Sequence, residues 1–88
     1  MLIMSYFVYI IYSEKFDAFY KGQTKNLAQR LERHNKGLEK STARYKPWVL
    51  IWATEKETRR DSMALEKKLK NLSRERLSSF IKKYPWKP

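Results

Sequence analysis

The chain has 88 residues, no cysteine, and 20 Lys+Arg against 9 Asp+Glu, giving a formal net charge of +11 with its one histidine neutral. That length holds one domain, and the missing cysteine excludes a disulfide framework, a thiolate metal site and a cysteine nucleophile. A 42% hydrophobic, 15% aromatic composition excludes a disordered chain, and the cationic excess favours a polyanionic partner, nucleic acid ahead of an anionic membrane surface.

The apolar run from Met1 to Tyr12 lacks the basic flank of a signal peptide and is too short to span a bilayer. It reads as a buried strand of a cytoplasmic protein. Tyr6 to Tyr12 is apolar on both alternating sets, as a central strand covered on both faces requires. Ser13 to Asp17 reads as a hairpin connection and Ala18 to Gly22 as the returning strand. Asn26, with Gln29 three residues on, caps a helix that Gly37 stops. Trp48 to Thr54, entered through Pro47, is a third strand. Thr58 with Asp61 caps a second helix with the stripe Leu65, Leu69 and Leu72. Ser73 caps a third, whose Leu77, Phe80, Ile81 and Tyr84 share one face before Pro85 ends it. Leu72 and Leu77 are spaced as a hydrophobic staple around that cap. The order β-β-α-β-α-α describes one α+β domain, a three-stranded antiparallel sheet flanked by helices.

Charge is unevenly placed on this frame. Residues 1–22 are neutral, whereas 23–47 and 61–88 each carry +5. The segment 36–47 mixes Lys36, Lys40, Arg44 and Lys46 with Thr42 and Tyr45, a composition suited to phosphate contacts and base stacking on a flexible loop. Three features exceed what a core needs. Arg30 and His34 share a helix face with Leu27 and Leu31; they serve a site, or Arg30 snorkels and His34 is a satisfied core imidazole. Glu66 stands among Lys67, Lys68 and Lys70. It makes an ordinary helical ion pair with Lys70, or it holds a hard divalent cation completed by water and phosphate. Tyr9 and Tyr20 sit opposite one another if the hairpin closes around 13–17, although phenylalanine would pack as well there.

Phe7-Val8-Tyr9 followed by Tyr20-Lys21-Gly22 resembles the paired signature of the GIY-YIG nuclease superfamily. Gly22-Gln23-Thr24, Asn26-Leu27, Arg30-Leu31, His34-Asn35, Gly37, Pro47-Trp48, Ala64-Leu65-Glu66 and Leu69-Lys70 follow in the family's order. The likeness spans roughly residues 6–82 and is greatest to the small stand-alone bacterial type, similar to the nuclease module of the excision-repair protein UvrC. Phe7 stands at the first glycine of the signature, Lys21 at the middle of the second triplet, and Gln23 where some relatives carry a base.

The resemblance implies hydrolysis of a DNA phosphodiester with Mg²⁺ or Mn²⁺, in DNA repair or processing. Carried over by position, it makes Glu66 the metal ligand and Arg30 the group steadying the scissile phosphate or the nucleophile. Tyr9, as proton acceptor, and Tyr20, as its hydrogen-bond partner, activate water, with His34 assisting. Nearby cations are expected to favour the Tyr9 phenolate. Lys21, Gln23, Lys36, Lys40, Thr42, Arg44, Lys46 and Lys70 are the expected nucleic-acid contacts. The partner is then DNA, branched or damaged forms included, with no membrane and with room for a separate targeting protein. The alternative is a non-catalytic nucleic-acid-binding module on the same fold; a membrane-surface or protein-interaction domain ranks third.

Overall fold

A computed structural model describes residues 5–87; the first four residues of the apolar run, 1–4, lie outside it. The elements are β1 (Tyr6–Ser13), β2 (Ala18–Thr24), α1 (Leu27–Asn35), a 3-10 turn at Ala43–Tyr45, β3 (Val49–Lys56), α2 (Arg59–Lys70) and α3 (Arg74–Lys83). They follow the order read from the sequence. The sheet is antiparallel throughout, ordered β2-β1-β3.

The central place of β1 explains why both of its alternating sets are apolar. Val8 and Ile10 face one side, where Trp52, Leu69 and Leu77 bury them beneath α2 and α3. Tyr9 and Ile11 face the other, with Trp48, Leu27 and Leu31 over them from α1 and the loop that follows it. A hairpin register fixes the neighbours on each face. Ser13 pairs with Ala18, so Tyr9 lies across from Gly22 and Tyr20 across from Ile11. The two tyrosines are therefore diagonal rather than opposite, because the connection is residues 14–17 and centres one residue further along the chain than an opposite pairing requires. The turn closes with Asp17 at φ 52, a left-handed position that aspartate tolerates. Its carboxylate accepts from the Tyr12 hydroxyl at 2.7 Å and pairs with Arg74, which also donates to the Asp17 carbonyl at 2.8 Å. The start of α3 thereby holds the hairpin tip.

Between β1 and β3 the pairing slips after Ile10: Ile10 pairs with Trp52 but Ile11 with Leu50. The extra residue, Ile51, turns to the same side as Trp52 and joins the α2/α3 cluster.

Three helices begin as their capping residues dictate. Asn26 accepts from the Gln29 amide at 3.0 Å, Thr58 from Asp61 at 3.1 Å and Ser73 from Arg76 at 3.2 Å. Each such cap is worth about 1 kcal/mol. Leu72 lies beyond the end of α2, whose C-cap is Asn71, yet still packs on the α2/α3 cluster. At the end of α1, the Leu38 amide reaches back to the Arg33 carbonyl at 3.0 Å and the Gly37 amide to that of His34 at 3.2 Å. This double closure needs a left-handed residue, and Gly37 supplies φ 75. Replacing Gly37 by alanine should lower unfolding free energy by about 1–2 kcal/mol through that backbone conformation alone. Urea denaturation checks it: the midpoint should fall with an unchanged m-value, and Gly37→Asn should recover much of the loss.

Candidate active site

On the α1 side of the sheet the polar residues singled out by pattern come together. Tyr9 is 1% exposed, and its hydroxyl meets His34 Nε2 at 2.8 Å. His34, also 1% exposed, places Nδ1 2.7 Å from Thr42 Oγ1, which in turn donates to the Glu39 carbonyl at 3.4 Å. Thr42 Oγ1 and the Tyr9 hydroxyl thus flank the two ring nitrogens; with the proton on Nδ1, Nε2 accepts from the Tyr9 phenol. Tyr20 packs its ring 5.1 Å from the imidazole and 6.4 Å from the Tyr9 ring, and is only half-buried.

Local sequence explains how the phenol reaches the imidazole. Gly22 is the residue across from Tyr9, and a Cβ there would lie 2.6 Å from the Tyr9 oxygen. The glycine of the second triplet thus makes the room in which the phenol lies. His34 is brought inward by the α1 face, and its neighbour Asn35 fixes the distal end of the loop. The Asn35 side chain donates to the Trp48 carbonyl at 3.0 Å and accepts from the Trp48 amide at 2.5 Å. Trp48 Nε1 then donates to the Thr42 carbonyl at 3.1 Å. The 36–47 segment, expected as a flexible phosphate-binding loop, is folded around these bonds. Thr42 is accordingly buried at 1% exposure and is withdrawn from the expected nucleic-acid surface.

Arg30 stands at the rim of this group, its side chain 37% exposed. Its nearest carboxylate is Glu39 at 3.8 Å, but the same Glu39 oxygen bonds Arg33 more closely, at 2.7 Å. Arg33 is therefore the principal partner that holds the Glu39 carboxyl below the usual range. Burial pushes the Tyr9 hydroxyl well above the ordinary phenol value; Tyr20 adds to that rise, while the Arg30 guanidinium opposes it without prevailing. Desolvation thus works against the expected phenolate and exceeds what the Arg30 guanidinium alone returns. Burial likewise holds the His34 imidazole below its usual value, in the neutral form.

Glu66 lies elsewhere. It is on α2, whose Leu65 and Leu69 join the opposite face of the sheet, and α2 packs across β2, β1 and β3. Its side chain is 19% exposed, with Lys70 at 3.7 Å. No hydrogen bond or ion pair connects it to Tyr9, Tyr20, Arg30 or His34 among the described residues. Nor do the described residues hold a group of three or more His, Cys, Asp or Glu able to cage a metal. A single half-buried carboxylate, loosely paired, fits a hard cation whose other ligands are water and substrate oxygens, and does not fit a metal held by protein alone.

The expected DNA contacts are dispersed. Lys40, Arg44, Lys46 and Lys70 are exposed, and Lys21 and Gln23 are half-buried on β2. Lys36 is paired with Glu32 at 2.5 Å, and Arg44 lies over the Tyr45 ring. Thr42, as the second partner of His34, is the residue whose place in this group the pattern did not announce; the Asn35–Trp48 clamp is another. No helix among the described residues is long and apolar enough to cross a membrane.

Two outcomes follow from this geometry. Gly22→Ala should cost about 1–3 kcal/mol of stability through overpacking, and should break the Tyr9–His34 bond, seen as a change in the imidazole ¹⁵N shifts. For pH, the sole histidine isolates its own window. Below about 6.5 the unfolded chain binds a proton that native His34 refuses, so stability falls as pH falls. The carboxylates lowered by pairing act only further down, near their own range. Urea midpoints taken from pH 7.5 to 5.5 should decline in the wild type and lose that slope in His34→Gln.

Residues 5–84 match the family described as the GIY-YIG catalytic domain. A UPF0213 protein of Bacillus velezensis is 33% identical over 78 residues, covering 88% of this chain and 78% of that one. A UPF0213 protein of Pediococcus pentosaceus is 34% identical over 83 residues, covering 93% and 86%. The solution NMR structure of a UPF0213 protein from Bacillus halodurans superposes with a TM-score of 0.62 at 24% identity, over 92% of this chain and 86% of that one, which speaks for the fold. With its two signature triplets on paired strands and nearly its whole length matched, the chain belongs to the GIY-YIG catalytic domain family.

Proposed function

We propose that this protein is a metal-dependent DNA endonuclease, acting in DNA repair or processing. The family is one of nucleases acting on DNA; the metal dependence and the residue roles are this reading's own. The observation that carries it is the Tyr9–His34–Thr42 chain, with Tyr20 and Arg30 at its open side. A core has no need of a buried phenol donating to a buried imidazole, since apolar residues of the same shape cost nothing in desolvation.

The chain of bonds suits removal of a proton from water. The Tyr9 oxygen takes a proton from the attacking water as its own proton passes to His34 Nε2. The nucleophilic oxygen then bonds to phosphorus, and the leaving oxygen departs with the bonding pair. Tyr9 stays neutral throughout, which reconciles its role with the burial that disfavours phenolate. The imidazolium formed is opposed by burial and helped by the Glu39 carboxylate. Tyr20, half-exposed beside both rings, orients the water, and Arg30 at the rim offsets charge on the phosphate. Glu66 would hold Mg²⁺ or Mn²⁺, whose charge lowers the barrier to attack on an anionic phosphodiester. Tyr20 faces one side of β2 while Glu66 rides on the helix that covers the other, and β2 is an edge strand. A DNA strand lying along that edge reaches both.

Nicking of supercoiled plasmid and of branched duplexes with Mg²⁺ or Mn²⁺ tests this. Glu66→Ala and Arg30→Ala should each lower the rate by about 10²-fold or more, with Tyr9→Phe comparable. Equal nicking by wild type and Glu66→Ala would sink the reading. Tight DNA binding with no nicking by any form would leave a non-catalytic binding module in its place.

A further inference from the structure

A pocket of about 260 Å³ opens beside β2, and of its lining only Gln23 has a role above. Tyr6, Gln23, Thr24, Lys25 and Arg59 line it. Among the described residues neither Lys25 nor Arg59 makes an ion pair, whereas Arg33, Lys36, Lys70 and Arg74 all do. No carboxylate belongs to the lining. The Lys25 ammonium stands 5.4 Å from the Tyr6 ring centroid, which keeps its stem against the pocket wall. Gln23 is held from below: its side-chain amide meets Ser62 Oγ at 2.6 Å, and that hydroxyl also lies 2.8 Å from the Arg59 carbonyl, so the amide is fixed at the pocket floor. Lys25 immediately precedes the Asn26 cap of α1, and Arg59 opens α2, so the positive ends of two helices lie at this end of the sheet.

Two unpaired cations and a fixed side-chain amide around a pocket without a carboxylate select a tetrahedral oxyanion. We infer that this pocket holds a backbone phosphate of the DNA strand, flanking the one that is cut. The inference deepens the endonuclease reading and rests on it for the position of the cut. Distance along α2 sets the offset. Arg59 and Glu66 are seven residues apart, roughly 10 Å of helix rise, which puts the held phosphate within a few nucleotides of the cut one. The pocket thereby makes orientation of the strand a property of Lys25 and Arg59, neither of which was among the expected DNA contacts.

Fluorescence anisotropy with a short duplex in EDTA reads binding without cleavage. Lys25→Ala and Arg59→Ala should each reduce the slope of log K against log salt by about 1. Because both cations act on one phosphate, the double variant should lose no more than about 1. A single neutral methylphosphonate linkage should weaken wild-type binding at one position within a few nucleotides of the nick, and should have no further effect there on the double variant. Thermal midpoints of the variants should match the wild type, since both side chains are exposed. Wild-type affinity in the double variant overturns the inference. So do strictly additive losses without a sensitive linkage, or a wild-type protein that does not bind the duplex. Nicking alongside a double variant that keeps wild-type affinity and salt slope removes the pocket and keeps the nuclease. A double variant with reduced salt slope and no nicking by the wild type does the reverse, keeping a phosphate site on a protein that does not cut.

Discussion

A phenol hydrogen-bonded to an imidazole inside a domain of this size constrains everything around it. Both groups are removed from water, so each must find a partner or cost the domain a large part of its marginal stability. Tyr9 answers His34, His34 answers Thr42, and Thr42 answers the Glu39 carbonyl. No buried side-chain polar atom among the described residues is left without a partner. That closure joins β1, α1 and the loop after α1, and it dictates a glycine at position 22 because the phenol occupies the volume a side chain would take. The same fold gives the second loop anchor: the Thr42 carbonyl receives both the Tyr45 amide and Trp48 Nε1, and Asn35 receives the Trp48 backbone.

Elements governed by local chemistry were legible in the sequence. Asn26, Thr58 and Ser73 each announce a helix start because a short polar side chain three residues before an amide is itself the capping interaction. Gly37 was legible as a stop for the same reason, and the doubly apolar Tyr6–Tyr12 run as the middle strand. The register of the hairpin was not, since it depends on how tightly Glu14–Asp17 turns, a matter settled partly by Arg74 far along the chain. The slip moves partners by an even number of residues, so Tyr9 and Tyr20 still share a face.

Within the site, residue type was more legible than environment. His34 pointing inward followed from its spacing to Leu27 and Leu31. Thr42 looked like a surface hydroxyl among cations, and only the long-range fold of its loop buries it. The state of Tyr9 turned on a balance that spacing does not contain: one guanidinium at the rim against removal of the ring from water. Charge placement was broadly legible as blocks, but ion pairing sorts the cations into those already satisfied by Glu32, Glu39, Glu66 or Asp17 and those left for a ligand.

The slip at Ile51 has a bearing on solubility. A three-stranded sheet leaves two open edges, and each edge is a template on which a second copy can add a strand. On β3 the extra residue interrupts the row of outward amides and carbonyls and sharpens the local twist, so a flat neighbour finds no continuous ladder. Lys21 on β2 and Lys56 on β3 add like charge to both borders. The irregularity that lets Ile51 and Trp52 enter the same cluster also guards a small, aromatic-rich protein against fibrillar self-assembly.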